Sequence, residues 1–412
     1  MNHIDWKQRV PFWLTFAAVL AILASTAVYN ILIAVAFAAL LFSGEKLKMP
    51  PIRLPLVLFM AGTAISMALS DDPWSGRPAI RKFYLFLILL LVTSTFRKLS
   101  EVRWLIIGLC AVMTLSALDS FAQFFQKQSE AQALHRNFYE YYTRERITGF
   151  TSHWMTLGGE EMMVILMGAA MVFFGAAKDR AKLWIAAGIG TVILSLLVGY
   201  TRSIWLGTAI GGVYLIWMWK RWLVLALPVL GALILVLNPL DLGERIRSIF
   251  APHGDTDSNQ FRYVCRRTGW EMIKAHPLFG LGPEQVKAQF DKYVPVDIPR
   301  PLPSGWYGHL HNIYYHYAAE RGIPTMLALM WLLGKMLYDF WRGLRRLPRE
   351  ASLARAVLFG AIAVILSMLS EGYYENNFGD GEPLALFLAI ASCGYLALRE
   401  TAPSPGTTPQ GQ

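Results

Sequence analysis

The sequence predicts an all-α polytopic membrane protein, with about twelve transmembrane helices and one large, partly helical loop on a single face. Three observations carry this. The 412 residues are 55% hydrophobic and only 16% charged, with a mean hydropathy of +0.39. Apolar runs recur at a length near the roughly 20 residues a helix needs to cross a bilayer. The basic residues fall between those runs, with the short basic loops gathered on one face. A net charge of +10 invites a nucleic-acid reading. Its distribution in short inter-helix loops points instead to membrane orientation and anionic lipid.

The apolar runs give helices at 11–27, 29–43, 54–70, 80–96, 104–122, 158–176, 183–199, 203–219, 222–238, 322–341, 354–370 and 383–398. The first lacks a small-residue cleavage site and reads as a retained helix. One face then collects Lys46, Lys48, Arg53, Arg97, Lys98, Arg103, Arg342, Arg345, Arg346 and Arg349. The positive-inside rule puts that face, and with it both termini, in the cytoplasm. The organisation is therefore helices one to nine over 1–238 with an outer loop at 123–157, an outer loop at 239–321, three helices over 322–400, and a polar, Pro/Gly-rich tail at 401–412 that does not fold. Cys110 and Cys393 lie in apolar runs and Cys265 in the long loop, so no disulfide framework is expected.

The outer loop 239–321 is too long for a plain connector. Arg262 to Ile273 has helical spacing, Pro277 stops it, and Gly280 and Gly282 supply a turn. Trp306 to Arg321 reads as an aromatic interfacial helix, broken from the next span by Gly322 and Pro324. Loop 123–157 is aromatic and basic, with Arg136, Arg144 and Arg146.

Every motif with chemical content falls on the outer face. Arg202, in Thr201-Arg202-Ser203-Ile204-Trp205, opens a helix at the membrane boundary, where arginine also serves simply to snorkel. Its permanently charged fork suits phosphate oxygens. Arg266 stands one turn before Trp270 and ahead of Pro277-Leu278-Phe279-Gly280-Leu281-Gly282; Arg262 lies one turn earlier on the same face, and Arg267 points elsewhere. His311 is followed by Asn312, and an imidazole titrates near the pH a general base needs. His309 and His316 read as interfacial polar residues. Spacings of two and five do not put all three histidines on one helical face, so no metal site is expected. Asp255-Thr256-Asp257 has the Asp-x-Asp form that can hold a metal but reads better as a solvated loop, and Asp71-Asp72 stays a minor acidic candidate beside a plain turn or helix cap. The acidic, aromatic loop 371–380 is either a sugar-stacking surface or an interfacial belt.

These elements together resemble the O-antigen ligase family of bacterial envelope enzymes, within the wider O-antigen ligase/polymerase superfamily. The resemblance rests on Arg202 to Trp205, Arg266 to Trp270 with the Pro-Leu-Phe-Gly-Leu-Gly turn, and His311-Asn312 ahead of Gly322. The chain departs from the family pattern at Ile323-Pro324, where a small, flexible run is usual. The resemblance implies a metal-independent, cofactor-free inverting transferase of the GT-C type at the periplasmic face of the inner membrane. It would move polysaccharide from undecaprenyl pyrophosphate to the lipid A-core oligosaccharide. Arg202 and Arg266 would hold the pyrophosphate, His311 would deprotonate the acceptor, and Arg262, Asn312 and Trp270 would assist. Arg136, Arg144 and Arg146 would meet the phosphorylated core. An O-antigen polymerase and a protein O-oligosaccharyltransferase are the neighbouring alternatives. A transporter would show polar groups near mid-membrane, which this sequence does not concentrate there.

Overall fold

The computed structural model describes residues 6–176, 179–237, 243 and 258–399, and among them there is helix and no strand. Every one of the predicted apolar runs is helical: α1 Trp6–Ala21, α2 Thr26–Phe42, α3 Arg53–Ala68, α4 Arg77–Thr95, α5 Leu99–Ala133, then after a short α6 (Phe138–Tyr142) α7 Trp154–Phe174, α8 Asp179–Val198, α9 Arg202–Lys220 and α10 Ala226–Leu237. The long loop contributes α11 Ser258–Ala275 and α12 Gln285–Tyr293. The chain ends with α13 Ile313–Arg346, α14 Leu353–Glu371 and α15 Gly381–Arg399. By length and composition, α4, α5, α7, α8, α14 and α15 can cross a membrane; α1, α2 and α3 are shorter apolar helices. Asp255, Asp257 and the tail 401–412 lie outside the described residues.

Several helices start where the sequence offers an acceptor for the free amides of a first turn. Ser25 caps α2, Asn137 caps α6 and Ser352 caps α14, while Glu101 reaches back to the amides of Arg97 and Lys98 ahead of α5. Inside the apolar helices, hydroxyls find partners locally. Thr15, Thr63, Thr95, Thr114 and Ser392 each donate to the carbonyl four residues back.

Helices α7, α14 and α15 are buried nearly all round and form the centre, with α9 against α7 and α14. That last contact needs small residues. A Cβ at Gly207 would sit 2.9 Å from the Glu371 Cβ, and one at Gly211 would sit 2.3 Å from the Ser367 Oγ, so backbone approaches backbone as between membrane helices. Outward-facing apolar side chains such as Ile31, Val57, Leu183, Trp184 and Val229 are more than 40% exposed, as lipid-facing surface would be.

The loops predicted to share a face do meet. On one side, Lys48 pairs with Ser94, Arg97 with Glu45, and Arg399 with the Thr93 carbonyl. On the other, Asp72 meets Gln285, Arg202 meets Asn259, and the 372–376 loop meets the segment before α13. Some expectations need correction. Trp306 to His311 is loop, because Asn312 caps α13 and the helix can only begin after it. Cys265, inside the stretch expected to be helical, is buried within α11. Helix α5 runs on to Ala133, shortening the loop that follows it.

The expected break at Gly322 is present, and it is stitched. Gly322 has φ +81° and ψ 160° within α13. Pro324 has no N–H, so the Glu320 carbonyl loses its helical donor. The Pro277–Gly282 turn supplies replacements: the Leu281 amide bonds the Ala319 carbonyl at 2.9 Å and the Gly282 amide bonds Glu320 at 2.8 Å. The freed Ile323 amide in turn bonds the Pro277 carbonyl at 2.8 Å, and Ser66 adds a bond to Glu320. Gly280 (φ +70°) is forced by contact, since a Cβ there would lie 2.3 Å from the Glu320 carbonyl carbon. Gly280→Ala should therefore destabilise the protein by roughly 1–3 kcal/mol, read as a lower melting temperature in detergent. An unchanged melting temperature would show that this junction is not under the constraint described.

Candidate active site

The site is built where the loop before α13 meets the loop after α14. Asn312 joins them. Its Oδ1 accepts the Tyr315 amide at 2.9 Å, capping α13, and its Nδ2 donates to the Tyr373 carbonyl at 2.9 Å. The Ile313 amide adds a 2.7 Å bond to the Gly372 carbonyl. With that clasp closed, Glu375 is buried against two histidines. His311 Nδ1 lies 3.0 Å and 3.2 Å from the two carboxylate oxygens, and His309 Nε2 lies 3.6 Å from one of them. His311 takes a left-handed backbone (φ +48°), which turns both rings toward the same carboxylate; the ring centroids are 3.9 Å apart.

Arg262 completes the surround. It donates through Nε to the Tyr374 carbonyl at 3.1 Å and brings Nη2 to 3.9 Å from Glu375. Burial alone would raise the Glu375 pKa. The charge and hydrogen bond of His311, then His309 and Arg262, outweigh it and hold the carboxyl well below the usual range. His309 is driven down to about 4, mainly by burial and against the pull of Glu375, so its ring is neutral. His311 Nδ1 thus faces an ionised carboxylate, the arrangement that fixes a tautomer and leaves Nε2 to take a proton. His311 Nε2 lies 3.3 Å from the Trp306 carbonyl; that oxygen can only accept, so the contact must open before the neutral ring takes a proton from an incoming hydroxyl.

This cluster opens onto a cavity of about 580 Å³ whose lining includes Arg146, Arg202 and Arg262 as well as His309, His311 and Glu375. Arg146 lies over the Trp154 ring and reaches Thr201, and Arg202 reaches Asn259 at 3.3 Å. The same cavity is lined by the carboxylates of Glu375, Asp380 and Glu382, so its arginine side, with three permanent positive charges, is the part suited to an anion. His309, His311 and Glu375 also present ligand atoms within 4.8 Å of one another, a set able to hold a metal ion.

Other residues singled out in the sequence lie elsewhere. Arg266 is not among the lining residues and has its guanidinium 5.8 Å over the Tyr373 ring. Trp270 is half exposed, near Tyr315. Arg136 and Arg144 are exposed on the surface around α6, outside the cavity. Arg267 points away, as expected, and pairs at the surface with Asp297. Asp72 closes a turn by accepting the Trp74 amide. His316 is buried beside Glu320 instead of lying at an interface. Sequence reasoning passed over His309 as a cluster member and gave Glu375 no role. The only signals were the His-x-His spacing and a carboxylate in the 371–380 loop.

Residues 187–330 match the family described as O-Antigen ligase. No curated protein matches the chain. The matched segment contains Arg202, Arg262, His309, His311 and the Gly322 break, but not Glu375.

The geometry sets a direct comparison between the arginines. Lysine keeps the charge but not the forked donors. Binding of inorganic pyrophosphate to the purified protein should weaken about tenfold or more for Arg202→Lys and Arg262→Lys, and much less for Arg266→Lys. Equal losses at Arg262 and Arg266, or a loss at Arg266 alone, would move the anion site one turn along α11.

Proposed function

We propose that this chain, whose residues 187–330 match the O-antigen ligase family, joins a polysaccharide carried on undecaprenyl pyrophosphate to the lipid A-core oligosaccharide. The observation that carries this reading is the His311–Glu375 pair, opening onto a cavity lined by Arg146, Arg202 and Arg262. Such a cavity accepts an anionic leaving group beside a base, which is what glycosyl transfer from a pyrophosphate requires.

In this reading His311 Nε2 takes the proton from an acceptor hydroxyl as its oxygen attacks the anomeric carbon. The bond from that carbon to the pyrophosphate oxygen breaks on the opposite side, so configuration inverts. The electron pair leaves with the pyrophosphate, whose growing charge Arg202 and Arg262 neutralise. Glu375 and Asn312 are positioning residues: one fixes the imidazole tautomer, the other fixes the loop. Arg146, which reaches Thr201 beside Arg202, meets either the donor or phosphate on the acceptor core. Arg266 supports Tyr373 from behind, and Trp270, Arg136 and Arg144 belong to the surrounding outer surface.

The enzyme would span the inner membrane about twelve times, with cytoplasmic termini and a periplasmic site in the GT-C manner. The unit 239–321 would supply most of the catalytic loop between helices 1–238 and 322–400. A polymerase would use the same donor with a lipid-linked acceptor. The lipopolysaccharide of a deletion strain separates the two. Intact core without long chains, with lipid-linked polymer accumulating, marks a ligase; core bearing a single repeat marks a polymerase.

His311→Ala should slow ligation by about 10²–10⁴-fold at equal membrane abundance, and wild-type activity should persist in excess EDTA. Near-normal ligation by His311→Ala would assign the base to another group. Activity lost to chelator and restored by a divalent ion would point to a metal on His309, His311 and Glu375.

A further inference from the structure

His153 lines the cavity that holds the His311–Glu375 pair. It also caps α7, because its Nδ1 accepts the Met155 amide at 3.2 Å. A ring nitrogen that accepts an amide carries no proton, so the neutral imidazole holds its proton on Nε2. His309 is set in the same way: its Nδ1 accepts the His311 amide at 3.1 Å, and its Nε2 faces Glu375. The two histidines differ in what that N–H meets. Among the described residues nothing bonds His153 Nε2, on a side chain that is exposed and lines the cavity. The ring stacks on Trp154 with centroids 4.1 Å apart, and the Arg146 guanidinium lies 5.4 Å over the same indole. His153 therefore stands at the arginine side of the cavity, where Arg146 reaches Thr201 next to Arg202. Burial lowers its pKa, Glu375 pulls the other way, and Arg146 adds to the lowering, which keeps the ring neutral. A neutral N–H can bond an anion without adding a further charge to the site.

We propose that His153 is a donor-binding residue, whose Nε2–H bonds a phosphate oxygen of the pyrophosphate beside Arg146 and Arg202. No proton is transferred. The hydrogen bond strengthens as negative charge builds on the departing pyrophosphate, so it favours the transition state over the bound donor. One imidazole then does two things: Nδ1 starts α7 and Nε2 meets the ligand. The proposal rests on reading the arginine side of the cavity as a pyrophosphate site.

Asn and Gln separate the two nitrogens. Asn puts an acceptor where Nδ1 stands and is a strong N-cap, but its side chain stops short of Nε2. Gln carries its amide N–H out to the place of Nε2 and is too long to cap. The test is calorimetric titration of inorganic pyrophosphate into the purified full-length protein in detergent, with the melting temperature read alongside. His153→Asn should melt like wild type and bind pyrophosphate about tenfold more weakly, or worse. His153→Gln should melt lower and keep its affinity within about threefold of wild type. Wild-type pyrophosphate binding by a His153→Asn protein that melts like wild type would overturn the proposal. So would equal losses of binding in both variants, which would leave the histidine as a helix cap alone. If neither variant folds, the cryo-electron structure of the wild-type protein with pyrophosphate decides. Phosphate oxygens all beyond about 3.5 Å from His153 Nε2 would then overturn it. Losses at Arg202→Lys and Arg262→Lys with none at His153→Asn would keep the pyrophosphate site and remove His153 from it. Wild-type protein that binds no pyrophosphate would remove both.

Discussion

A carboxylate with 6% exposure, Glu375, is the constraint around which the outer face is arranged. Burying an ionised group costs several kcal/mol unless charge and hydrogen bonds offset it. Here the compensation comes from separate parts of the chain: Arg262 from α11, His309 and His311 from the loop before α13, and the Asn376 amide from its own loop. Each partner fixes the others. Without Arg262 the carboxylate loses a permanent charge; without the Asn312 clasp the histidines no longer face it.

The scaffold that holds these parts is the stitched break in α13. Gly322 and Pro324 interrupt the helix, and the Pro277–Gly282 turn satisfies the carbonyls that the interruption frees. That one junction ties α11 and α12, which form their own small core around Cys265, Met272 and Val286, to the membrane-type bundle. The first turns of α13 therefore stand at a fixed angle to the rest of the helix, and the histidine loop is aimed at the 372–376 loop. Ser66 of α3 bonds the same Glu320 carbonyl, so α3 is tied to the junction too.

Much of this was legible in the sequence. The apolar runs located every long apolar helix, and Arg202, His311 and Asn312 gather at one site. What escaped was decided by tertiary contact. Glu375 lies 64 residues from His311, in a stretch that reads as a generic aromatic loop. Arg262 and Arg266 share a helical face, so periodicity cannot choose between them; the position of the 374–375 loop along α11 decides. His309 was set aside by assuming helical spacing, whereas it sits in a loop whose left-handed residue at 311 brings both rings together. The Asn312 cap was the available sign that the helix starts only after His311.

The central claim is that Glu375 acts through His311 and not as mere packing. Steady-state ligation by Glu375→Gln, which keeps the shape and removes the charge, tests it most directly. The account predicts kcat lower by about 10²-fold or more, with the KM for the lipid-linked donor little changed, in protein that inserts and melts like wild type. A Glu375→Gln enzyme with wild-type kcat, or one impaired only in KM, would contradict it.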